Sequence, residues 1–91
     1  MTTEQLDVSQ LHHLHETYPA GHVLFREGDT GKEMFIVLEG EILISKSQHV
    51  LDRLKKGAIF GEMALVDSFP RSADATVYKD CKIVKILNLI D

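Results

Sequence analysis

Only one cysteine, Cys81, occurs in the 91 residues, so neither an internal disulfide nor a Cys-x-x-Cys metal or redox motif can form. A reducing, cytoplasmic setting is the expectation. Long apolar runs are missing as well. The longest, Met34-Phe35-Ile36-Val37-Leu38, is far shorter than the roughly 20 residues a helix needs to cross a bilayer. The opening Met1-Thr2-Thr3-Glu4-Gln5-Leu6-Asp7 has neither the basic start nor the apolar core of a secretory signal. Basic charge is scarce: 10 Lys+Arg against 14 Asp+Glu leave a net −4. That balance argues against binding nucleic acid directly, because phosphate neutralisation needs clustered Lys and Arg. The nearest such run, Arg53-Leu54-Lys55-Lys56, adjoins Gly57 and reads as a solvated loop. No Ser/His/Asp or Cys/His nucleophile–base set and no glycosidase-like carboxylate pair is legible, so an enzyme is not expected.

With 44% hydrophobic residues, the chain has material for one small globular domain, 1–91, and no more. Its six glycines, Gly21, Gly28, Gly31, Gly40, Gly57 and Gly61, fall between the apolar runs. They mark off strand-length segments at 22–27, 33–38, 41–47, 50–54 and 58–60, followed by 73–79 and 82–87. Val, Ile, Phe and Tyr dominate these segments, which predicts an all-β sandwich or barrel of antiparallel strands. Within the third segment Ile42 and Ile44 share one face, as a half-buried strand requires. Leu38-Glu39-Gly40-Glu41 predicts a hairpin turn, since Gly40 adopts positive φ without steric cost. Ahead of Pro19, residues 3–17 read as a helix with Leu6, Leu11 and Leu14 on its apolar positions and Thr3 or Ser9 as cap. The β unit then runs from 18 to 90 with this helix as an appendage. His12, His13 and His15 lack a further ligand at metal spacing, so solvated surface rather than metal is expected. His22 and His49 are expected at strand ends. Cys81 is expected as a small core or edge residue, not a reactive thiol.

One segment departs from the strand pattern. Gly61 opens and Pro70 closes the stretch Gly61-Glu62-Met63-Ala64-Leu65-Val66-Asp67-Ser68-Phe69-Pro70-Arg71-Ser72. A single helical turn starting at Glu62 would offer unpaired backbone N–H groups to an anion, and Gly61 would allow close approach. Arg71 follows, with a guanidinium suited to gripping phosphate through two parallel hydrogen bonds. Glu62, an acceptor when ionised, suits a ligand hydroxyl, and Ser72 can donate a further bond. The plainer alternatives are a surface ion pair of Arg71 with Asp67 or Glu62, and a Glu62 that merely favours the helical turn.

The sequences Gly61-Glu62-Met63-Ala64-Leu65 and Pro70-Arg71-Ser72-Ala73 together resemble the phosphate-binding cassette of cyclic nucleotide-binding domains, the catabolite-activator and kinase-regulatory-subunit type. The likeness extends upstream to the stretch 18–31, to Met34-Phe35-Ile36-Val37-Leu38-Glu39-Gly40 and to Leu54-Lys55-Lys56-Gly57-Ala58-Ile59-Phe60, with all six glycines at the family's positions. It implies an eight-stranded, double-stranded β-helix or jelly-roll-like β-roll. It also implies that Glu62 takes the ribose 2′-OH, that Arg71 takes the cyclic phosphate, and that the backbone of Gly61, Met63, Ala64 and Ser72 completes the cradle. The implied ligand is a 3′,5′-cyclic nucleotide, cAMP ahead of cGMP. The implied role is regulatory, signalling to an effector domain or partner, with a homodimer as a further expectation. A β-roll that keeps this fold for structural or interaction purposes is the alternative. Two departures from the family stand out. Asp74 occupies a position where kinase-type members usually carry Thr. Strand alternation puts it on the side of Ser72, where a carboxylate pointing inward would repel phosphate, whereas one displaced towards the strand's solvated edge would leave the site intact. The chain also ends at Asp91, where the family continues into a lid helix, which implies a fragment with weakened base contacts.

Overall fold

A computed structural model describes residues 15–61 and 70–87. Among these, all regular structure is strand: β1 (Glu16–Tyr18), β2 (Val23–Phe25), β3 (Glu33–Lys46), β4 (His49–Leu54), β5 (Ile59–Phe60) and β6 (Asp74–Leu87). The expected all-β class is what forms. Of the helix expected over 3–17, residues 3–14 lie outside the described residues, as does the helical turn expected after Gly61.

Two local expectations are corrected. Glu16 and Thr17, read as the end of a helix, belong to β1, where Glu16, Thr17 and Tyr18 pair antiparallel with Ile83, Lys82 and Cys81. The partner strand lies far along the chain, and that pairing overrides a weak local helical pattern. The hairpin expected at Leu38-Glu39-Gly40-Glu41 is instead a bulged bend inside one continuous strand. Both halves of β3 pair with β6, from Glu33↔Leu87 through Ser45↔Asp74, and the register shifts between Val37 and Ile42. Gly40 makes the bend with φ +94°, and a Cβ there would lie 2.3 Å from the Asp80 carbonyl oxygen.

The bulge has a consequence for the core. Phe35 and Val37 enter the common core cluster before it and Ile42 after it, so the face turned to that cluster changes from odd to even positions across the bulge. On β6 the phase is constant, with Ala75, Val77, Cys81 and Ile83 all buried. The strand order is β1-β6-β3-β4, with β2 added on β6 and β5 on β3. β1 and β5 serve the Glu33 end of β3 and its partner, whereas β2 and β4 serve the Lys46 end. Six strands thereby supply eight strand segments, since β3 and β6 each contribute two halves. One cluster unites both ends: Phe35, Val37, Ile42, Phe60, Ala75, Val77, Cys81 and Ile83. Burying each large apolar side chain among them stabilises the fold by about 1.5–3 kcal/mol. At one end of this core Phe25, Phe35 and Phe60 make an aromatic group, with Phe35 stacked on Phe60 at 5.0 Å between centroids. That group is the floor on which Arg71 rests.

Candidate functional site

Arg71 lies between the isolated bridge Thr30↔Pro70 and the start of β6. Its main chain is fixed from both sides. The Arg71 N–H donates to the Asp29 carbonyl and the Gly28 N–H donates to the Arg71 carbonyl, each at 2.8 Å. The turn at 26–31 and the chain at 70–71 are therefore zipped together, and the side chain is directed over the aromatic floor.

The guanidinium centre sits 4.3 Å from the Phe25 ring centroid and 5.8 Å from that of Phe35. Nη2 donates to the Glu33 carbonyl at 2.9 Å, and Nη1 makes a longer contact with the Gly61 carbonyl at 3.3 Å. Nε is buried and has no hydrogen-bond partner among the described residues. Arg71 is 8% exposed, the one buried charged residue among those described. Burial works against its charged form, while the carboxylates of Glu33 and Asp29 favour it. Neither carboxylate forms an ion pair with it. Asp29 Oδ2 instead accepts the Arg26 N–H, and Glu33 Oε2 faces Lys85 Nζ at 4.0 Å. The result is a desolvated cation held by carbonyls and ring faces, with an unused donor, which is chemistry that favours an anionic ligand.

Two glycines make room for it. A Cβ at Gly31 would lie 2.6 Å from Arg71 Nη2, and one at Gly61 would lie 2.8 Å from Nη1, with Gly61 also at φ +76°. Of the site residues expected from sequence, Gly61 and Arg71 are brought together, and Ser72 follows as an exposed residue. Glu62, Met63 and Ala64 lie outside the described residues. The sequence reading missed the parts contributed by Phe25, Phe35, Gly31 and the Glu33 carbonyl. A main-chain carbonyl carries no sequence signal, and the two phenylalanines read as ordinary core. Gly31 was visible as a turn glycine, but nothing local says that a guanidinium lies over it.

Of the two placements open to Asp74, inward or displaced from the site, the structure takes the second. Its Oδ1 accepts the Glu27 N–H at 2.7 Å, so the group is committed to the 26–31 turn. Cys81 is core, as expected. Its thiol donates to the Lys79 carbonyl at 3.0 Å, and burial raises its pKa, so it is not poised as a thiolate. The neighbouring Lys79 and Lys82 are turned to Glu41 and Glu39. His22 stacks on Tyr18 at 4.6 Å just ahead of β2. Among the described residues no group of three or more His, Cys, Asp or Glu is arranged to hold a metal ion, and no helix is long and apolar enough to cross a membrane.

These features can be set beside known proteins. The family model for the cyclic nucleotide-binding domain matches residues 15–88. A cyclic nucleotide-gated potassium channel of Rhizobium etli is 35% identical over 68 residues, 75% of this chain and 19% of the channel. The cyclic AMP receptor protein of Thermus thermophilus is 28% identical over 91 residues, 94% of this chain and 42% of that protein. Among solved structures, the cAMP-bound and cGMP-bound forms of the EAL enzyme Bd1971 each superimpose with a TM-score of 0.75 at 32% identity, covering 81% of this chain and 21% of theirs. The chain thus spans less than half the length of these relatives. A match over residues 15–88, well over half of the chain, on a β-roll whose buried Arg71 belongs to the glycine-framed cassette, means that this chain belongs to the cyclic nucleotide-binding domain family.

Proposed function

We propose that residues 1–91 form a single regulatory domain that binds a 3′,5′-cyclic nucleotide, cAMP in preference to cGMP, and passes the binding event to an attached or partner effector in the cytoplasm. Arg71 takes the cyclic phosphate. Glu62 accepts the ribose 2′-OH, and the main chain of Gly61, Met63, Ala64 and Ser72 completes the anion cradle. The observation that carries this reading is the Arg71 guanidinium, buried with an unpartnered Nε and with its only close oxygen partners among the described residues being carbonyls. A cyclic phosphate would supply an acceptor for that Nε and an opposite charge together. The domain itself catalyses nothing in this reading. Its output is a shift in the conformation of whatever it is joined to, and the size of that shift is set by the differential affinity of the ligand for the two states.

Calorimetric titration with cAMP and cGMP tests the proposal. Saturable binding is expected. Arg71→Ala should weaken it at least ~100-fold, the worth of one or two charge-assisted hydrogen bonds. 2′-Deoxy-cAMP should bind more weakly than cAMP, because Glu62 then loses its partner. Arg71→Ala binding as tightly as the wild type would overturn the assignment and favour a β-roll that serves only as scaffold or interaction surface.

A further inference from the structure

The turn that faces Arg71 is fastened at both ends. At one end its main chain is hydrogen-bonded in both directions to Arg71, and Thr30 bridges Pro70. At the other, the Glu27 N–H donates to Asp74 Oδ1 at 2.7 Å, across 47 positions of sequence. Inside the turn the Arg26 N–H donates to Asp29 Oδ2 at 2.9 Å and the Asp29 N–H to the Arg26 carbonyl at 3.0 Å. Asp74 begins β6 and pairs with Ser45 of β3, so its own backbone is anchored in the sheet. The Glu27 side chain is held to the same corner by Lys46, at 3.8 Å. A ring of contacts therefore runs from Arg71 through Gly28 and Asp29 to Glu27, and returns through Asp74 and two intervening residues to Arg71. Gly31, whose missing Cβ admits Nη2, lies at the end of that turn.

We propose that Asp74 is a positioning residue for phosphate recognition. Its carboxylate pins the turn at the Glu27 N–H, and the pinned turn sets where Arg71 presents its guanidinium. The inference rests on the cyclic nucleotide reading of 61–72 and deepens it. A carboxylate near a phosphate site would ordinarily be expected to weaken binding by repulsion. The observed contact predicts the opposite sign.

The test compares Asp74→Ala, which removes the acceptor, with Asp74→Asn, which removes the charge but keeps an acceptor oxygen. Asp74→Ala should bind cAMP roughly tenfold more weakly, the scale of one hydrogen bond to a charged group. Asp74→Asn should stay within about threefold of wild type, since a neutral acceptor retains part of that bond. In an Arg71→Lys background, Asp74→Ala should cost far less than in the wild type, because its effect runs through the guanidinium, whereas a general loss of stability would cost the same in both. Amide hydrogen exchange without ligand supplies an independent readout: the Glu27 amide should exchange faster in Asp74→Ala and near the wild-type rate in Asp74→Asn. Tighter binding by both variants would establish repulsion and overturn the proposal. So would wild-type affinity in Asp74→Ala while the wild type itself binds. A wild type that binds no cyclic nucleotide sinks the site reading and the phosphate role with it. In that case, exchange at Glu27 still reports whether Asp74 holds the turn.

Discussion

Arg71 shows how one side chain can be costly to the fold and still be kept in place. Desolvating a guanidinium that has no ion pair among the described residues is unfavourable, and ring faces and carbonyls recover only part of the loss. The two glycines against it carry no side chain for the same reason that the arginine fits. Gly31→Ala should push Nη2 aside and weaken cAMP binding about tenfold or more, while changing the melting temperature little, because the clash is with the end of a flexible side chain. Gly40→Ala is the contrasting case. Its Cβ would meet backbone at 2.3 Å and its φ is +94°, so unfolding in denaturant should show a loss of at least ~2 kcal/mol. The value of Gly40 is legible in the sequence as a turn glycine, but its neighbour Asp80 is not. Cys81, 1% exposed, should resist thiol reagents in the folded protein and react once denatured.

The long strands β3 and β6 are held in register at their shared irregularity by charge as well as by hydrogen bonds. Glu41 sits opposite Lys79 and meets its Nζ at 3.1 Å, with Arg53 Nε at 3.6 Å from the other carboxylate oxygen. The hydrogen bond from Lys79 is the main reason that the Glu41 carboxyl lies below its ordinary pKa, assisted by the charges of Lys79, Lys55 and Arg53 and opposed by burial. A lowered folded-state pKa means that the unfolded chain binds the proton more readily. The stabilisation from this group is therefore present above the ordinary carboxylate range, about pH 4, and is lost as pH falls through the folded-state value. Thermal melts of Glu41→Gln should run below wild type at pH 7, and the two curves should converge in strong acid. Equal melting temperatures at every pH would show that the pair contributes nothing, as many exposed pairs do. The 33–38 and 41–47 segments were readable as strands from their apolar pattern. That they are one strand was not, because a bulge and a hairpin both ask for a glycine, and only the partner strand distinguishes them.

At the scale of the whole domain, a ligand that binds the folded state alone stabilises it by mass action. At a free concentration a hundred times the dissociation constant this amounts to about 2.7 kcal/mol. For a domain of this size the melting temperature should then rise by about 10–20 °C with cAMP and hardly at all in Arg71→Ala. A thermal-shift series over cAMP and cGMP reads both the function and the preference between the two.

The sequence by itself determined the all-β class, through short β-branched and aromatic runs parted by glycines, and it marked Arg71 and the cassette beginning at Gly61 by residue type and spacing. Tertiary structure alone decided that Glu16 and Thr17 are strand, that Phe25 and Phe35 lie beneath the guanidinium, that the Glu33 carbonyl receives Nη2, and that Asp74 turns to Glu27. The physical reason is the same in each case. Backbone dihedral preference and side-chain chemistry are local and are written in the residues, whereas strand partners, main-chain acceptors and the direction of a carboxylate depend on segments that meet only after the chain has closed on itself.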